Sequence, residues 1–528
     1  MEKTTPVTAD FSVSPQIRLE DMPDVVAAGF RSIISNRPNG EEPGQPDAAT
    51  LARAALERGL AFEHLPVPNP DIAPADARAM RAALDRLPKP VLAFCRTGAR
   101  STAMHAAAMA LGDGAAATYD VVIVGGGSAG IACAASLLKR RADLSIAIIE
   151  PADAHYYQPG WTMVGAGVFD PQITRRTMAE VMPRKAHWIR QAASAFQPDS
   201  NSVTLDDGTA IAYRVLVVAP GLKLDWAAIP GLAETLGRNG VTSNYRYDLA
   251  PYTHELVRKM ARGRALFTQP PMPIKCAGAP QKAMYLSCHD WEKRRLLGGI
   301  GVEFHSAGPA LFGVADYVPA LTAYIERYGI DFRPGSKLVG VDGDARIARF
   351  EQGDGDVIER PFDMLHAVPP QVAPDFVRSS PIADDSGFVA VDPATLRHPT
   401  WPNLFALGDV IAASNAKTAA AARKQAPVVA VNVIAALDGK APAAAYDGYG
   451  SCPLTVERGR IVLAEFGYGG KLLPSFPTWL LDGRKPTRLA WFLKDRMLPP
   501  IYWHGMLKGR EWLAGPRPIG MAPNGMAR

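Results

Sequence analysis

Residues 119–130 read YDVVIVGGGSAG, and this stretch decides the fold of the region around it. Its first half is an unbroken apolar run that predicts a buried strand, and its second half has the G-x-G-x-x-G spacing that opens a helix. Gly125 permits the tight turn, Gly127 lets a pyrophosphate approach the backbone, and Gly130 lets helix and strand pack closely. The predicted cradle for a dinucleotide consists of Gly125, Gly127, Ser128, Ala129 and Gly130.

Two more stretches complete a nucleotide site. A second strand over about 144–149 ends in Glu150, whose carboxylate is placed to accept the hydroxyls of a ribose. Far downstream, an apolar run ends in Gly408 and Asp409, as in flavoenzymes with two dinucleotide domains, where such an aspartate holds the ribityl chain. A helix that begins near Lys417 would direct its positive end toward the flavin ring. These features favour FAD over NAD as the cofactor.

A second nucleotide domain is predicted without its nucleotide site. The strand expected at Arg264–Gln269 runs into residues 270–280, which read PPMPIKCAGAP and lack the glycine spacing of a phosphate cradle. Electrons are therefore expected from a donor smaller than a nicotinamide. Cys276 lies in the loop that would cover the nicotinamide, so we expect it against the flavin. Lys275 and a helix that begins near Gln281 would lower the pKa of its thiol. A core cysteine is the alternative.

Three motifs in this part of the chain resemble one family. Residues 273–282 read PIKCAGAPQK, residues 155–162 read HYYQPGWT, and residues 446–449 read YDGY. From about residue 118 onward the chain resembles the mitochondrial-type branch of the sulfide:quinone oxidoreductases, which are FAD-dependent and similar to the pyridine nucleotide-disulfide oxidoreductases. The resemblance implies oxidation of sulfide to a sulfane-sulfur product and delivery of two electrons to a quinone. It also implies that Cys276 is a redox cysteine.

The chain departs from the pattern of this family at the second redox cysteine. The resemblance implies that this cysteine follows the Gly-Asp motif, but residues 408–415 read GDVIAASN. One hypothesis leaves the chemistry to the single thiolate of Cys276, which would add to the flavin. Sulfide would then attack the Cys276 sulfur, the flavin would leave reduced, and the persulfide on Cys276 would pass its sulfur to Cys95. The other cysteines are a less favoured substitute partner, Cys452, and two expected core residues, Cys133 and Cys288.

A second candidate cysteine follows the apolar run at residues 91–94, which predicts a buried strand. Residues 95–101 read CRTGARS and lead into an alanine-rich helix, so the thiol of Cys95 lies among free N–H groups at a helix N-terminus. These groups, together with Arg96 and Arg100, favour a thiolate and the binding of an anion. A buried cysteine in a tight turn is the alternative.

The length of this loop separates two chemistries. A cysteine phosphatase has His before its cysteine and one more residue before its arginine, whereas here Phe94 precedes Cys95 and the loop is shorter. The loop resembles the active loop of rhodaneses, and residues 10–110 resemble the phosphatase-like domain of β-lactamase-hydrolase-like proteins. We therefore expect sulfur transfer to a small-molecule acceptor by Cys95, Arg96 and Arg100, with phosphate hydrolysis as the alternative.

The length of 528 residues suits three or four structural units at roughly 150 residues per domain. The predicted class is α/β, with an N-terminal phosphatase-like sulfurtransferase domain, two Rossmann-like dinucleotide-binding domains and a C-terminal amphipathic helical tail. The expected bounds are 1–113 for the first domain, 118–255 with 372–440 for the FAD-binding domain, 256–371 for the second Rossmann-like domain and 441–528 for the tail.

Composition limits the partners and the compartment. A net charge of +5 over this length gives no support to nucleic-acid binding. Five scattered cysteines without a CxxC pair predict neither a disulfide framework nor a metal site. Free thiols, an N-terminus without a secretory signal and the lack of an apolar run of about 18 residues predict a cytoplasmic protein.

The C-terminal part of the chain concentrates aromatic and basic side chains. Over residues 476–515, tryptophans and phenylalanines alternate with lysines and arginines, and few acidic residues oppose them. Such a segment suits the surface of an anionic membrane, where a quinone can enter. We therefore expect peripheral attachment at the cytoplasmic face, with a helical pair packed on the FAD domain as the alternative.

Two other functions stay open at the level of the sequence. An NAD(P)H-dependent flavin reductase is disfavoured by the missing second glycine motif. A sulfur carrier or sensor with a structural flavin is kept open because no cysteine follows the Gly-Asp motif.

Overall fold

A computed structural model describes residues 4–68, 72, 74–110 and 118–519 of the chain. These residues form two units, the first within residues 4–110 and the second from residue 118 onward. The sheet of the first unit and the two largest sheets of the second have mostly parallel strands with helices beside them, so the predicted α/β class is confirmed.

The first unit has a five-stranded sheet with Val91–Phe94 as its central, fully buried strand. Its strands in spatial order are Thr5–Thr8, Phe11–Ser14, Val91–Phe94, Ser32–Ser35 and Ala61–His64. Its helices are Met22–Ala27, Ala48–Leu56, Pro74–Arg86 and Ala99–Ala110. The strand and the helix predicted around Cys95 are confirmed. The hairpin of the first two strands was not predicted, because four-residue strands rich in Thr and Ser carry no apolar run.

The second unit begins with the sheet that holds the glycine motif. Its strands in spatial order are Ala186–Ile189, Ile146–Ile149, Tyr119–Val124, Ala210–Val218, Ser202–Leu205 and Ala193–Gln197. A later strand, Leu404–Ala406, pairs in parallel with Ala210–Val218 and so brings Gly408 to the edge of the sheet where Gly125 lies. The helices Ser128–Arg140 and Ala419–Leu437 pack against each other on this sheet.

A second parallel sheet carries the cysteine loop. Its strands in spatial order are Val241–Thr242, Met364–His366, Gly263–Gln269, Ile300–Ser306 and Asp331–Pro334. The helices beside it are Ala250–Lys259, Ala279–Lys293 and Val318–Tyr328. A small antiparallel sheet of Lys337–Asp342, Ile347–Glu351 and Val357–Pro361 follows. The strand predicted before the proline-rich loop is confirmed within one residue.

The region predicted as a membrane-interfacial tail begins with a buried hairpin. Strands Gly450–Glu457 and Arg460–Phe466 pair in an antiparallel manner. Their inward side chains join the core of the second parallel sheet beside Phe267 and Phe304. The prediction for residues 441–528 is therefore corrected at this point. The two strands have alternating buried side chains, but the prediction for this region was made from the aromatic and basic residues that follow them.

The rest of the tail is a chain of short helical segments. They are Arg488–Phe492, Leu493–Met497, Leu498–Pro500, Ile501–Gly505 and Met506–Lys508, and the second and fourth have π-helical hydrogen bonding. One side packs on the glycine-motif sheet through Tyr502 and Trp503, while Trp479 is 84% exposed. The alternative, in which the tail packs on the FAD domain, therefore holds for Tyr502 and Trp503, and attachment to a membrane stays a prediction. Within the described ranges, no helix is long and apolar enough to cross a membrane.

Candidate functional site

Cys276 lies in the loop between the strand Gly263–Gln269 and the helix Ala279–Lys293. Its φ of 50° is in the left-handed region, which costs a non-glycine residue about 1 kcal/mol or more and persists only when its surroundings enforce it. Here the N–H of Cys276 donates to the carbonyl of Lys417 at 2.8 Å, and its own carbonyl accepts from the N–H of Ala279 at 2.7 Å. Neighbouring segments therefore fix the position of this thiol.

Cys452 is the nearest partner of this thiol. Its Sγ lies 3.7 Å from the Sγ of Cys276, although 176 residues separate the two cysteines in the chain. The low rank given to Cys452 by the sequence is therefore corrected: a second thiol is present, on the hairpin strand rather than after the Gly-Asp motif. A signal was available, because the YDGY motif ends three residues before Cys452.

Gly278 makes this approach possible. A Cβ at this position would lie 2.6 Å from the Sγ of Cys452 and closer still to the side chain of Leu454. No real side chain tolerates such contacts, so the helix beginning at Ala279 and the hairpin strand can pack this closely only over a glycine.

A lysine that the sequence did not single out contacts the thiol. The Nζ of Lys282 donates to the Sγ of Cys276 at 3.1 Å, and its side chain is buried. Lys275, the lysine expected in this role, instead donates to the Oε1 of Gln158 at 2.7 Å. The reason is helical geometry: Lys282 is six residues after Cys276, on the first turn of the helix, and points back along it.

The two thiols have opposite electrostatic character. The hydrogen bond from Cys452 and the positive charge of Lys282 lower the pKa of Cys276 well below its ordinary value, although burial opposes them. The same hydrogen bond and burial raise the pKa of Cys452. Cys276 is therefore the thiolate of the pair and Cys452 the proton donor. Lys494 is another cation that interacts with them, and burial lowers its pKa to about 7.

The glycine motif has the shape of a dinucleotide cradle. A Cβ at Gly125 or Gly130 would collide with backbone atoms, so the tight turn and the close packing predicted for these residues are present. A Cβ at Gly127 would meet nothing within 4 Å, which leaves open space at the N-terminus of the helix Ser128–Arg140. The carboxylate of Glu150 accepts from the N–H of Gly126 at 2.8 Å and thus lies at the loop.

The Gly-Asp loop is tied to both the cradle and the cysteine loop. Gly408 has a φ of 81°, and its N–H donates to the Oε1 of Gln425 at 2.8 Å. The Nζ of Lys417 donates to the carbonyl oxygens of Asp409 and Ile411 at 2.7 and 2.8 Å, and burial lowers its pKa to about 8. The carbonyl of Lys417 also accepts from the N–H of Cys276, so the Gly-Asp loop and the cysteine loop are hydrogen-bonded to each other through Lys417.

Unpaired polar atoms at this loop are consistent with a bound cofactor. The Nε2 of Gln425 and the Oδ1 of Asn415 are buried and have no hydrogen-bond partner among the described residues. Burial raises the pKa of Asp409, against the opposing charges of Lys417 and Lys275. Buried polar atoms are nearly always paired, so such atoms mark a place where a ligand or water completes the structure. The residues present therefore fit a bound flavin.

In the first unit, Cys95 ends the central strand and faces the N-terminus of the next helix. The N–H of Gly98 donates to its Sγ at 3.1 Å. Burial acts to raise the pKa of Cys95, but the N–H groups of Ser101, Thr97, Arg100 and Gly98 outweigh it and lower that pKa. The expected cradle of backbone donors is thus present around the sulfur.

The two arginines of this loop already have carboxylate partners. The guanidinium of Arg100 forms a bidentate pair with Glu41, at 2.6 and 2.8 Å, and also donates to the carbonyl of Val67 at 2.7 Å. Arg96 lies 3.6 Å from Glu42. The hydrogen bond from Arg100 lowers the pKa of Glu41 to about 2, so that carboxylate is ionised at neutral pH. Glu41 could not be predicted from the sequence as a partner of Arg100, because it lies on a different loop.

The other two cysteines lie where the sequence placed them. Cys133 and Cys288 are fully buried in the two hydrophobic cores, and burial raises the pKa of each thiol. The expectation that both are structural is confirmed.

Two family models match the chain. The model described as "Beta-lactamase hydrolase-like protein, phosphatase-like domain" matches residues 4–112, and "Pyridine nucleotide-disulphide oxidoreductase" matches residues 119–261. A mitochondrial sulfide:quinone oxidoreductase of Dictyostelium discoideum is 40% identical over 396 residues, which cover 74% of this chain and 86% of that protein.

Two further similarities concern the separate parts of the chain. A beta-lactamase hydrolase-like protein of Agrobacterium fabrum is 35% identical over 109 residues, 21% of this chain and 25% of that protein. The X-ray structure of the sulfide:quinone oxidoreductase from Aquifex aeolicus covers 78% of this chain and all of that chain, with a TM-score of 0.63 and 19% identity. At this identity the second similarity concerns the fold alone.

Proposed function

The chain belongs to the sulfide:quinone oxidoreductase family, and from that premise we propose that its two adjacent thiols oxidise sulfide to sulfane sulfur. A flavin held by this chain would pass the two electrons to a quinone. The observation that carries this proposal is the 3.7 Å distance between the Sγ atoms of Cys276 and Cys452. This separation is short enough for a disulfide to form with small side-chain movements.

The asymmetry of the pair sets the direction of attack. Hydrosulfide attacks the Cys452 sulfur of the disulfide, the bond to Cys276 breaks, and Cys276 leaves as a thiolate. A thiol with a lower pKa is the better leaving group, and Lys282 lies beside it to hold the charge. The product is a persulfide on Cys452, in which the sulfide sulfur has been oxidised and the disulfide reduced.

Membership in this family implies a flavin, and we propose FAD. Gly125, Gly127 and Gly130 would hold its pyrophosphate with the N–H groups of Ser128 and Ala129. Glu150 would accept from the ribose, and Asp409, with Gly408 and Lys417 behind it, would hold the ribityl chain. When bound, FAD accepts the electron pair of the two thiols and transfers it to the quinone.

The first unit is proposed to move the sulfur onward. The thiolate of Cys95 attacks the outer sulfur of a persulfide, takes that sulfur as its own persulfide and releases the donor thiolate. A small thiol acceptor then removes the sulfur by the same reaction. Arg100 stays beside the Cys95 sulfur, and Arg96, at the exposed mouth of the loop, meets the incoming anion.

The tail is proposed to attach the enzyme to a membrane surface. Its exposed apolar side chains and the neighbouring basic residues suit an anionic interface, at which a quinone can reach the flavin. The proposed side of that membrane is the cytoplasmic one, where the thiols of Cys95, Cys133 and Cys288 would stay reduced.

The proposal is tested by anaerobic titration of the holoenzyme with sulfide. We expect sulfide to bleach the flavin of the wild type and of Cys95→Ser, and to leave the flavin of Cys276→Ser oxidised. Bleaching by NADH rather than sulfide would favour a flavin reductase. A flavin that neither donor reduces would favour a sulfur carrier.

A further inference from the structure

The end of the C-terminal tail lies along the helix that opens from the glycine motif. Near the start of this helix, the hydroxyls of Ser128 and Tyr502 lie 2.6 Å apart. Near its end, the carboxylate of Glu511 accepts from the Oγ of Ser136 at 2.7 Å and forms an ion pair with Arg140. The tail therefore holds this helix at both ends.

A chain of three hydrogen bonds joins the tail to two residues of the glycine motif. The hydroxyl of Tyr502 lies 2.6 Å from the Nε2 of His155, and the Nδ1 of His155 lies 3.3 Å from the carbonyl oxygen of Gly126. Tyr502 and His155 are each 3% exposed. With the contact to Ser128, the chain begins and ends on either side of Gly127, where the cradle has open space.

The direction of each hydrogen bond follows from the groups in this chain. Burial lowers the pKa of His155 to about 4, so its ring is uncharged at neutral pH, with one nitrogen that donates and one that accepts. The carbonyl of Gly126 can only accept, so Nδ1 carries the proton and Nε2 accepts from the hydroxyl of Tyr502. The oxygen of Tyr502 then accepts from the hydroxyl of Ser128, whose proton points to the tail and not into the cradle.

This arrangement holds the part of the loop that a pyrophosphate would contact. The N–H of Gly126 donates to Glu150 at 2.8 Å and its carbonyl accepts from His155, so both groups have fixed partners. A serine hydroxyl in the first turn of a helix can otherwise bond to the backbone groups there. Because the hydroxyl of Ser128 is bonded to Tyr502, it does not compete for the N–H groups of this turn, which are the donors that an anion would use.

We propose that Tyr502 is a positioning residue for the FAD cofactor, and that the tail is part of the cofactor site. Through Ser128 and His155, Tyr502 holds the glycine loop in the shape that receives the pyrophosphate. This inference rests on the proposed FAD and names a group outside the glycine motif on which its binding depends. Because linked equilibria are reciprocal, bound FAD must in turn stabilise the packing of the tail.

The first test measures the release of FAD from Tyr502→Phe holoenzyme, by the gain of flavin fluorescence on dilution. This substitution keeps the aromatic ring and removes only the hydroxyl. We expect FAD to dissociate about tenfold faster and its Kd to rise about tenfold, the loss for one buried hydrogen bond. The matched control is Tyr328→Phe, since Tyr328 is buried in the other core and its hydroxyl donates to the carbonyl of Val456 at 3.2 Å. FAD release from this control should equal that of the wild type.

A second variant separates this role from a general loss of stability. If Tyr502 acts through Ser128, the loss of affinity in Tyr502→Phe combined with Ser128→Ala should be no larger than in Tyr502→Phe alone. Without FAD, the thermal unfolding midpoints of Tyr502→Phe and Tyr328→Phe should fall by similar amounts. The rise of the midpoint on addition of FAD should be smaller in Tyr502→Phe only.

The reciprocal effect is measured by hydrogen exchange of the tail. Removal of FAD from the wild type should speed exchange over residues 501–508 about fivefold or more. Exchange in the helix Val318–Tyr328, which lies beside the other parallel sheet, should not change.

A wild-type rate of FAD release from Tyr502→Phe would overturn the inference. Multiplicative losses in the double variant, or unchanged exchange in the tail, would overturn it as well. If the wild type binds no FAD at all, the proposed cofactor is wrong and the inference is wrong with it. If FAD binds but sulfide does not bleach it, the proposed function is wrong, and the release rates still decide the role of Tyr502.

Discussion

The two cysteine sites lower the pKa of a thiol by different means. Around Cys95, N–H groups from one loop of consecutive residues surround the sulfur. Around Cys276 the lowering groups are side chains from the next helix, the hairpin and the tail: Lys282, Cys452 and Lys494. All the donors of the first site come from one continuous stretch of the sequence. The second exists only after the hairpin and the tail have folded against the second parallel sheet.

This difference has a chemical consequence. Backbone N–H groups carry no net charge and do not titrate, so the Cys95 site keeps its character over a wide range of pH. The Cys276 site depends on ammonium groups and on the proton of a second thiol, which substitution can remove one at a time. Substitutions around Cys276 should therefore change the reaction rate more than those around Cys95, and the contribution of each group should be measurable by itself.

The largest effect is expected from Cys452→Ser. Without the second thiol no disulfide can form with Cys276, so sulfide should reduce the flavin at least about 1000-fold more slowly than in the wild type. Stopped-flow absorbance of the holoenzyme measures this rate. Cys133→Ser, which changes a core thiol far from the chemistry, is the control. A rate close to the wild type would revive the hypothesis of a single thiolate at Cys276.

A substitution that only displaces Cys452 from Cys276 should have the next largest effect on the rate of reaction with sulfide. In Gly278→Ala the added methyl group would collide with Cys452 and Leu454 and push the hairpin strand outward. A displacement of about 1 Å can cost about 100-fold in rate, and we expect that loss for the reaction with sulfide. Gly298→Ala, where a Cβ would meet nothing within 4 Å, is the matched control. Equal rates for the two variants would show that close packing is not required.

Removal of the ammonium of Lys282 should raise the pKa of Cys276 but should not stop the reaction with sulfide. Without the ammonium of Lys282 the thiolate of Cys276 loses stabilisation, so its pKa rises and the midpoint of its alkylation moves to higher pH. A rise of one unit slows iodoacetamide about tenfold at a pH below the midpoint. Alkylation of Cys95 in the same Lys282→Met protein is the internal control and should not change. An unshifted midpoint at Cys276 would show that Lys282 does not stabilise the thiolate.

The smallest effect is expected at the first site. Glu41→Gln weakens the bidentate pair that holds Arg100, while the backbone donors around Cys95 stay in place. We expect sulfur transfer by Cys95 to slow about fivefold and flavin bleaching by sulfide to stay at the wild-type rate. Glu42→Gln, whose carboxylate faces the more exposed Arg96, should slow transfer less. A loss as large as that of Cys95→Ser would mean that side chains dominate this site too.

The contrast also explains what the sequence predicts well. The glycine motif, its strand and its helix are adjacent in the chain, so pattern and spacing predicted them nearly to the residue, from Tyr119 to Arg140. The loop from Cys95 to Ser101 was predicted for the same reason. The helix after Lys417 was also expected, and Thr418 caps it by accepting from the N–H of Ala421.

What the sequence did not reveal depends on tertiary packing. Cys452 sits in a hairpin strand whose partner in catalysis is 176 residues away, and no spacing rule links them. Lys494 reads as one more basic residue of an amphipathic tail, and only its burial distinguishes it. Glu41 reads as part of a turn-rich loop until the fold places it against Arg100. Each of these contacts is made by elements that are distant in the chain.

The central claim is most directly tested by locating the sulfur after one turnover at the cysteine pair. The oxidised enzyme is mixed anaerobically with one equivalent of sulfide, quenched with an alkylating agent and mapped by peptide mass spectrometry. We predict a Cys276–Cys452 disulfide before sulfide is added, and afterwards an extra sulfur on the Cys452 peptide with Cys276 alkylated. An extra sulfur on Cys276 with Cys452 alkylated, or no linkage between the two at the start, would contradict the account.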